Sequence, residues 1–334
     1  MPRFLILLLL PALFVPATSL AGGDKAQLTV ISSGSVYGDP YSCECETAPV
    51  GGLPQRVAQV GTLVETHTPA LWVDAGNGLF DGPGAVPAEL MVPRRLKAIT
   101  LVDAYGVGEL AAHNVGRWDL AEGVEYLHRL ALRASFPMLS ANLWWTDDVP
   151  QTGLHFEPNL LIQLPTDGGD VLKVGVVGVM SDKQQGFGWR TSDPIKAAKE
   201  QAAALRDRGA DYVVILAALP NKEAAKLARK VKAADLVIRS GPGDLPDEGL
   251  KAGRGHLVRS PARGRGLSLT ELGGKQPLSS VVEVDRDGPQ HQRSAQLMQE
   301  LKLRLALPFD PPKEEADEPP PDLPKEVLQP GQDD

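Results

Sequence analysis

The chain has 334 residues, 34 basic and 42 acidic side chains, a formal net charge of −8, and two cysteines. The acidic balance gives no sign of a nucleic-acid surface, which would need a clustered basic face. Setting aside a leader and a tail leaves one large domain or two small ones.

Residues 1–21 read MPRFLILLLLPALFVPATSLA, with Arg3 ahead of an apolar run and small residues, Ser19 and Ala21, at cleavage positions. This is the pattern of a secretory signal peptide. Pro11 and Pro16 interrupt a run already short for a bilayer, which argues against a membrane anchor that persists after cleavage. The expected product is exported, periplasmic or extracellular, in a compartment that permits disulfides.

Gln27–Ser32 reads as a strand, and Leu53, Val57, Val60 and Val64 recur at helical spacing over 53–66. Ala70–Asp74 is a second strand, followed by the loop AGNGLFDGPG. A helix is predicted over about 86–104 with a kink or break at Pro93, a strand over 107–113, and a helix from Asp119 to about Arg133. FPMLSAN at 136–142 reads as a strand. LLIQLP and VLKVGVVGVM, joined by TDGGD, read as a hairpin, because Asp-Gly-Gly supplies the positive φ of a tight turn.

A helix over 193–209 stops at Gly209, DYVVILAAL is a buried strand, 221–233 is its following helix, and ADLVIRSG is another strand-to-loop unit. Short strands near 256–260, 267–272 and 281–284 close the domain, and an amphipathic helix follows at 290–305. The domain is expected over 22–288, the last helix within 289–307, and a Pro-rich acidic tail over 308–334. Alternating strands and helices with added hairpins give an α/β domain with more than one sheet.

In such folds ligands gather at the carboxyl ends of strands. The informative ends are SSGSVYG (32–38), DAGNG (74–78), AHNVG (112–116), AALPN (217–221) and RSGPGD (239–244). LTVISSGSVYG, GGLPQRVAQV, LWVDAGNGLF, FPMLSANL, VLKVGVVGVM and RGADYVVIL occur in an order that resembles the metallophosphoesterase (calcineurin-like) domain of the bacterial periplasmic 5′-nucleotidase and UDP-sugar hydrolase family, over about residues 27–287. The resemblance implies a four-layer sandwich of two mixed β-sheets flanked by helices. It also implies hydrolysis at a divalent metal pair held by Asp, His and Asn side chains, which share a carboxylate and activate a water.

Carried over position by position, those ligands fall on Ser35, Tyr37, Asn77 and Asn114, on Ala217 or Ala218, and near Gly241 and Gly243; the catalytic His falls on Val115. Only the Asn is kept, and the shared carboxylate becomes the amide of Asn77. The six histidines, at 67, 113, 128, 155, 256 and 291, do not refill the set, although a shift of one residue brings His113 beside it. Hard dications bind through charge, so one imidazole and two amides do not hold two of them. The sequence therefore leans away from an enzyme: no catalytic residue and no cofactor are expected. An active phosphoesterase with a metal pair in an atypical site is the alternative. The resemblance also implies a second, C-terminal substrate domain, of which the sequence after 288 carries no sign.

Cys43 and Cys45 stand in YSCECE, which resembles the Cys-x-Cys first loop of a subgroup of exported 5′-nucleotidase-like proteins. Three roles stay open: a strained redox disulfide, a soft-metal pair with His113 as third ligand, or an inert loop staple. Glu44 and Glu46 raise the thiol pKa and argue against a reactive thiolate.

Three other features have a plain reading. Trp144–Trp145 marks a core edge more than a stacking site, and Asp74 holds its own loop. Arg254, Arg259, Arg263 and Arg265 form one local basic group, which reads as solvated loop residues more than as an anion site. Tyr37 and Asn77, lining a small polar pocket, are the best candidates for any binding role, and the partner expected is a small ligand or an envelope protein.

Overall fold

The computed structural model describes residues 27–42, 50–84, 86–146, 156–183 and 185–307; the leader, Cys43, Cys45, His155 and the acidic tail lie outside the described residues. The first strands are β1 (Leu28–Ser33), β2 (Ala70–Asp74), β3 (Ala112–Asn114), β4 (Met138–Leu139), β5 (Leu143–Trp145), β6 (Asn159–Pro165) and β7 (Val171–Met180). Then come β8 (Gln185–Gly186), β9 (Trp189–Thr191), β10 (Tyr212–Ala218), β11 (Leu236–Ser240), β12 (Leu250–Ala252), β13 (Gly255–Arg259), β14 (Gly266–Leu272) and β15 (Leu278–Glu283). The helices are α1 (Leu53–Thr66), α2 (Ala88–Val107), α3 (Val124–Arg133), α4 (Pro194–Asp207), α5 (Asn221–Lys230) and α6 (Gln292–Ala306).

Two six-stranded mixed sheets, ordered β15-β14-β1-β2-β3-β4 and β12-β13-β11-β10-β7-β6, pack face to face. The period-two alternation of each strand decides which layer a side chain enters. Leu28, Val30, Leu71 and Val73 of the first sheet meet Val174, Val176, Tyr212, Val214, Leu216, Leu236 and Ile238 of the second. The residues between them point the other way. Ile31 and Trp72 pack beneath α1, α2, α3 and α6, and Val213, Ile215 and Val237 beneath α4 and α5. Strands covered on both faces read as unbroken apolar runs, as YVVILAA does. The expected four-layer sandwich of two mixed sheets flanked by helices is the observed architecture.

Local departures have identifiable causes. Helix α2 runs through Pro93, which lies in its second turn and removes one hydrogen bond, while Leu101, Val102 and Tyr105 anchor the helix further on. It continues to Val107, so the strand expected at 107–113 shrinks to Ala112–Asn114, after a turn in which Glu109 has φ 57°. The helix expected from Asp119 is split: a 3-10 turn spans Arg117–Leu120, and α3 begins only after Gly123 at φ 82°. A small additional sheet, β5-β9-β8, has strands of two or three residues, too short for alternation to show in the sequence. Within it Trp145 packs edge-on to Phe156 with centroids 5.8 Å apart, while Trp144 faces outward and donates to Ser192 Oγ at 3.1 Å. Neighbours in a strand face opposite ways, so the two rings do not form a stacking pair.

Helix α6 buries Leu297, Met298 and Leu301 against the same core as α1 and α2. Among the described residues no helix is long and apolar enough to cross a membrane.

Candidate functional site

The loops after β1, β2, β3 and β11 meet between the two sheets, where Ser35 contacts Gly241, Asn77 contacts Ser240, and Asn114 contacts Ala75 and Val179. Three of the carried-over positions have unusual backbones. Ser35, Tyr37 and Asn77 have φ of 54°, 58° and 56°, in the left-handed region that side chains other than Gly seldom enter. The first two loops hold this shape by running alongside each other. Ser35 N–H donates to Gly76 O at 2.9 Å, Tyr37 N–H to Asn77 O at 3.1 Å, and Gly38 N–H to Gly78 O at 2.9 Å.

The side chains at these positions are engaged with protein. Gly241 N–H donates to Ser35 Oγ at 2.8 Å, which ties the first loop of one sheet to the β11 loop of the other. Asn77 Nδ2 donates to Ser240 Oγ at 3.3 Å, and Asn77 Oδ1 accepts from Trp118 N–H at 3.1 Å. Gly116 makes room for that amide, since a Cβ there would lie 2.5 Å from Asn77 Oδ1. Buried and doubly bonded, Asn77 faces these partners and not an open pocket. Tyr37 lies against Trp118, ring centroids 4.2 Å apart.

Asn114 is fully buried and donates through Nδ2 to Ala75 O and Val179 O, both at 3.0 Å; its Oδ1 has no partner. A Cβ on Gly178 would lie 2.6 Å from that oxygen. Ala218 is buried and offers only a methyl group, its carbonyl accepting from Ser181 N–H at 3.3 Å. Gly241 and Gly243 turn their carbonyls onto a cation, the guanidinium of Arg239. It donates to Gly241 O and Pro242 O at 2.9 Å each, and also to Gly243 O.

The side chains at the carried-over positions are neutral, and a cluster of ionised groups lies beside them. His113 is fully buried between two carboxylates, with Nδ1 3.2 Å from Asp74 Oδ1 and Nε2 3.3 Å from Asp119 Oδ2. Burial opposes a charge on this ring, yet the two carboxylates prevail and push its pKa up to about 10. Burial likewise opposes charge on Asp74, but hydrogen bonds from His113, Ser33 and Gly76 hold its carboxyl below the usual range. Ser33 Oγ donates to Asp74 Oδ2 at 2.7 Å, and Gly76 N–H to Oδ1 at 2.8 Å.

Asp119 accepts four backbone N–H groups. Those of Asn77, Gly78 and Leu79 lie at 2.9 Å each and that of Gly116 at 2.8 Å. Tyr105 and the buried Arg56 stand alongside, with Arg56 Nη2 3.4 Å from the phenol oxygen. Burial pushes that phenol well above its usual range, against the pull of Arg56.

The expectation that Asp74 holds its own loop is met by its bond to Gly76. His113 does not reach a site as a spare ligand, because both ring nitrogens face carboxylates. Asp119, Arg239 and Ser240 were not picked out from sequence. Arg239 had a legible signal, a charge inside the apolar run LVIRS. Asp119 had none, since an Asp before a helical stretch reads as a cap.

Among the described residues no group of three or more His, Cys, Asp or Glu stands ready to hold a metal ion. A hydroxyl already accepting a hydrogen bond, two engaged amides, a methyl and two glycines do not fit a dication pair, which needs negative charge close to both ions. The oxygen orphaned at these positions, Asn114 Oδ1, is a neutral amide and does not supply it.

No family model matches the chain. A 5′-nucleotidase of Diplobatis ommata is 25% identical over 233 residues, covering 66% of this chain and 38% of that protein. A 2′,3′-cyclic-nucleotide 2′-phosphodiesterase/3′-nucleotidase of Salmonella typhimurium is 31% identical over 154 residues, 43% of this chain and 21% of that protein. The chain thus spans about two fifths or less of the curated relatives it matches. Among solved structures, a calcineurin-like phosphoesterase from Bacillus subtilis superposes with TM-score 0.67 at 17% identity, covering 83% of this chain and 97% of that one. A 5′-nucleotidase precursor from Thermus thermophilus does so with TM-score 0.66 at 19% identity, covering 84% and 59%.

Proposed function

We propose that this chain carries the metallophosphoesterase domain of the 5′-nucleotidase family, a reading its likeness to a 5′-nucleotidase and its shared fold support, and that it is an exported member that performs no two-metal hydrolysis and acts by binding. One observation carries the reading. Where cations need ligands, the strand-end loops bond to each other instead, through Gly241 N–H to Ser35 Oγ at 2.8 Å and Asn77 Nδ2 to Ser240 Oγ at 3.3 Å. A metal pair would have to break these bonds and would then meet no carboxylate at the carried-over positions. The carboxylates nearest to hand, Asp74 and Asp119, are both committed to His113 and to backbone amides. Export rests on the leader at residues 1–21.

The test is metal analysis of the exported protein after dialysis against Mn²⁺ and Zn²⁺, with parallel assays on a phosphodiester and on nucleoside monophosphates. The reading expects less than one bound ion per chain and no turnover above buffer. Two tightly held ions with turnover would overturn it and restore the active-phosphoesterase alternative.

A further inference from the structure

Three arginines that the strand-end site does not use, Arg259, Arg263 and Arg265, line one cleft of about 720 Å³ with Val50, Pro261 and Val281. Arg259 ends β13, and Arg263 and Arg265 lie in the short connection from β13 to β14, whose shape the fold fixes. Arg263 has φ 56°, and its N–H donates to Ser35 O at 2.9 Å, pinning the turn to the first strand-end loop. Gly264 follows at φ 63°; a Cβ there would lie 1.9 Å from Arg56 Nη1, so the turn is seated on a buried guanidinium.

The acids around the cleft leave part of its guanidinium donors unengaged. Asp247 is taken by Arg259 at 2.5 Å, and Arg263 reaches Asp39 only at 3.7 Å, while Arg265 has no ion pair among the described residues. Arg259 Nε–H is buried without a partner. Glu283 is the remaining acid on the cleft wall, so the lining holds three guanidiniums and two carboxylates, with Asp39 outside it as a third acid. In a chain of net charge −8, three arginines lining one cleft stand out from their surroundings.

We propose that this cleft binds a ligand bearing a multiply charged tetrahedral oxyanion, phosphate or sulfate. Guanidinium forks match such oxygens in pairs. A single carboxylate would merely repeat what Asp247 already does, so the ligand must carry at least two negative charges. The cleft is larger than one oxyanion, which leaves room for an organic body against Val50, Pro261 and Val281. The proposal goes beyond the reading of the strand ends and does not depend on whether they hold metal.

Calorimetric titration of the full chain with pyrophosphate, inorganic phosphate and sulfate, at constant ionic strength, tests it. Saturable binding of pyrophosphate is expected, with whichever of phosphate and sulfate binds better naming the source. The double variant Arg263→Asn/Arg265→Glu should weaken it at least tenfold; Asn suits the left-handed backbone at 263. Arg208→Glu, whose guanidinium bonds to Asn159 Oδ1 away from the cleft, should leave it unchanged. Thermal melts of both variants check folding. Absence of saturable heat in the unmodified chain, or a double variant that binds as tightly, would overturn the proposal.

Discussion

The neutral rim of the strand ends and the charged cluster beside it differ in what their side chains hold. On the rim, Ser35, Asn77 and Asn114 carry no charge and bond to neighbouring loops. A few residues away, Asp74 and Asp119 keep their carboxylates, but spend them on an imidazole and on five backbone amides. Negative charge is therefore not missing from this region; it organises loops. His113 supplies the compensating cation from within the chain. The lesson is that counting acidic residues near strand ends says little until the partners of each oxygen are known.

The comparison breaks most visibly at Asp119. Asp119→Ala strands four N–H groups and leaves His113 with one carboxylate, so a loss of about 3–5 kcal/mol is expected, on the scale of breaking a buried ion pair. Urea denaturation measures it; a loss below 1 kcal/mol would mean that the loops hold themselves without this carboxylate.

His113→Asn comes next, because it leaves two buried carboxylates facing each other; a loss of about 3 kcal/mol is expected. Its sign with pH is fixed by the raised pKa. The folded state keeps the proton up to about pH 10, whereas the unfolded imidazole loses it near 6.5. The stability due to His113 is thus fully present below 6.5 and declines as pH rises toward 10. The gap between the two proteins should narrow over that window, and a gap that widens there would rule out a charged His113. Asn77→Asp, smaller again, restores a carboxylate to the rim. It gives up the donor to Ser240 Oγ and sets a charge near Asp119, for about 2 kcal/mol. Thermal melts with and without Mn²⁺ should coincide; a Mn²⁺-dependent rise would show that one carboxylate suffices to rebuild an ion site.

The layer order was legible because alternation along each strand sorts side chains between the two cores, as Val213 and Val214 illustrate. Loop positions were legible through Gly and Asn at turns. The charged cluster was not. Asp119 reaches Asn77, Gly78 and Leu79 across some forty residues of chain, and no local spacing encodes that contact. His113 was visible only as a residue adjacent to a kept Asn; its second carboxylate comes from a 3-10 turn that the helical pattern disguised. The pocket expected between Tyr37 and Asn77 depended on what filled it, and Trp118 and Ser240 come from other elements.

The smallest expected effect belongs to Ser35, and it tests the rim alone. Ser35→Ala removes the acceptor of Gly241 N–H while leaving Asp74, His113 and Asp119 untouched. The left-handed backbone at 35 is as awkward for Ala as for Ser, so strain cancels in the comparison. What remains is one lost hydrogen bond to a partly buried amide, about 1 kcal/mol. Amide hydrogen exchange resolves it: protection at Gly241 should fall while protection at Gly78 and Leu79, held by Asp119, stays as it was. If all three lose protection together, rim and cluster form one cooperative unit, and the neutral rim is not separate from the charged cluster.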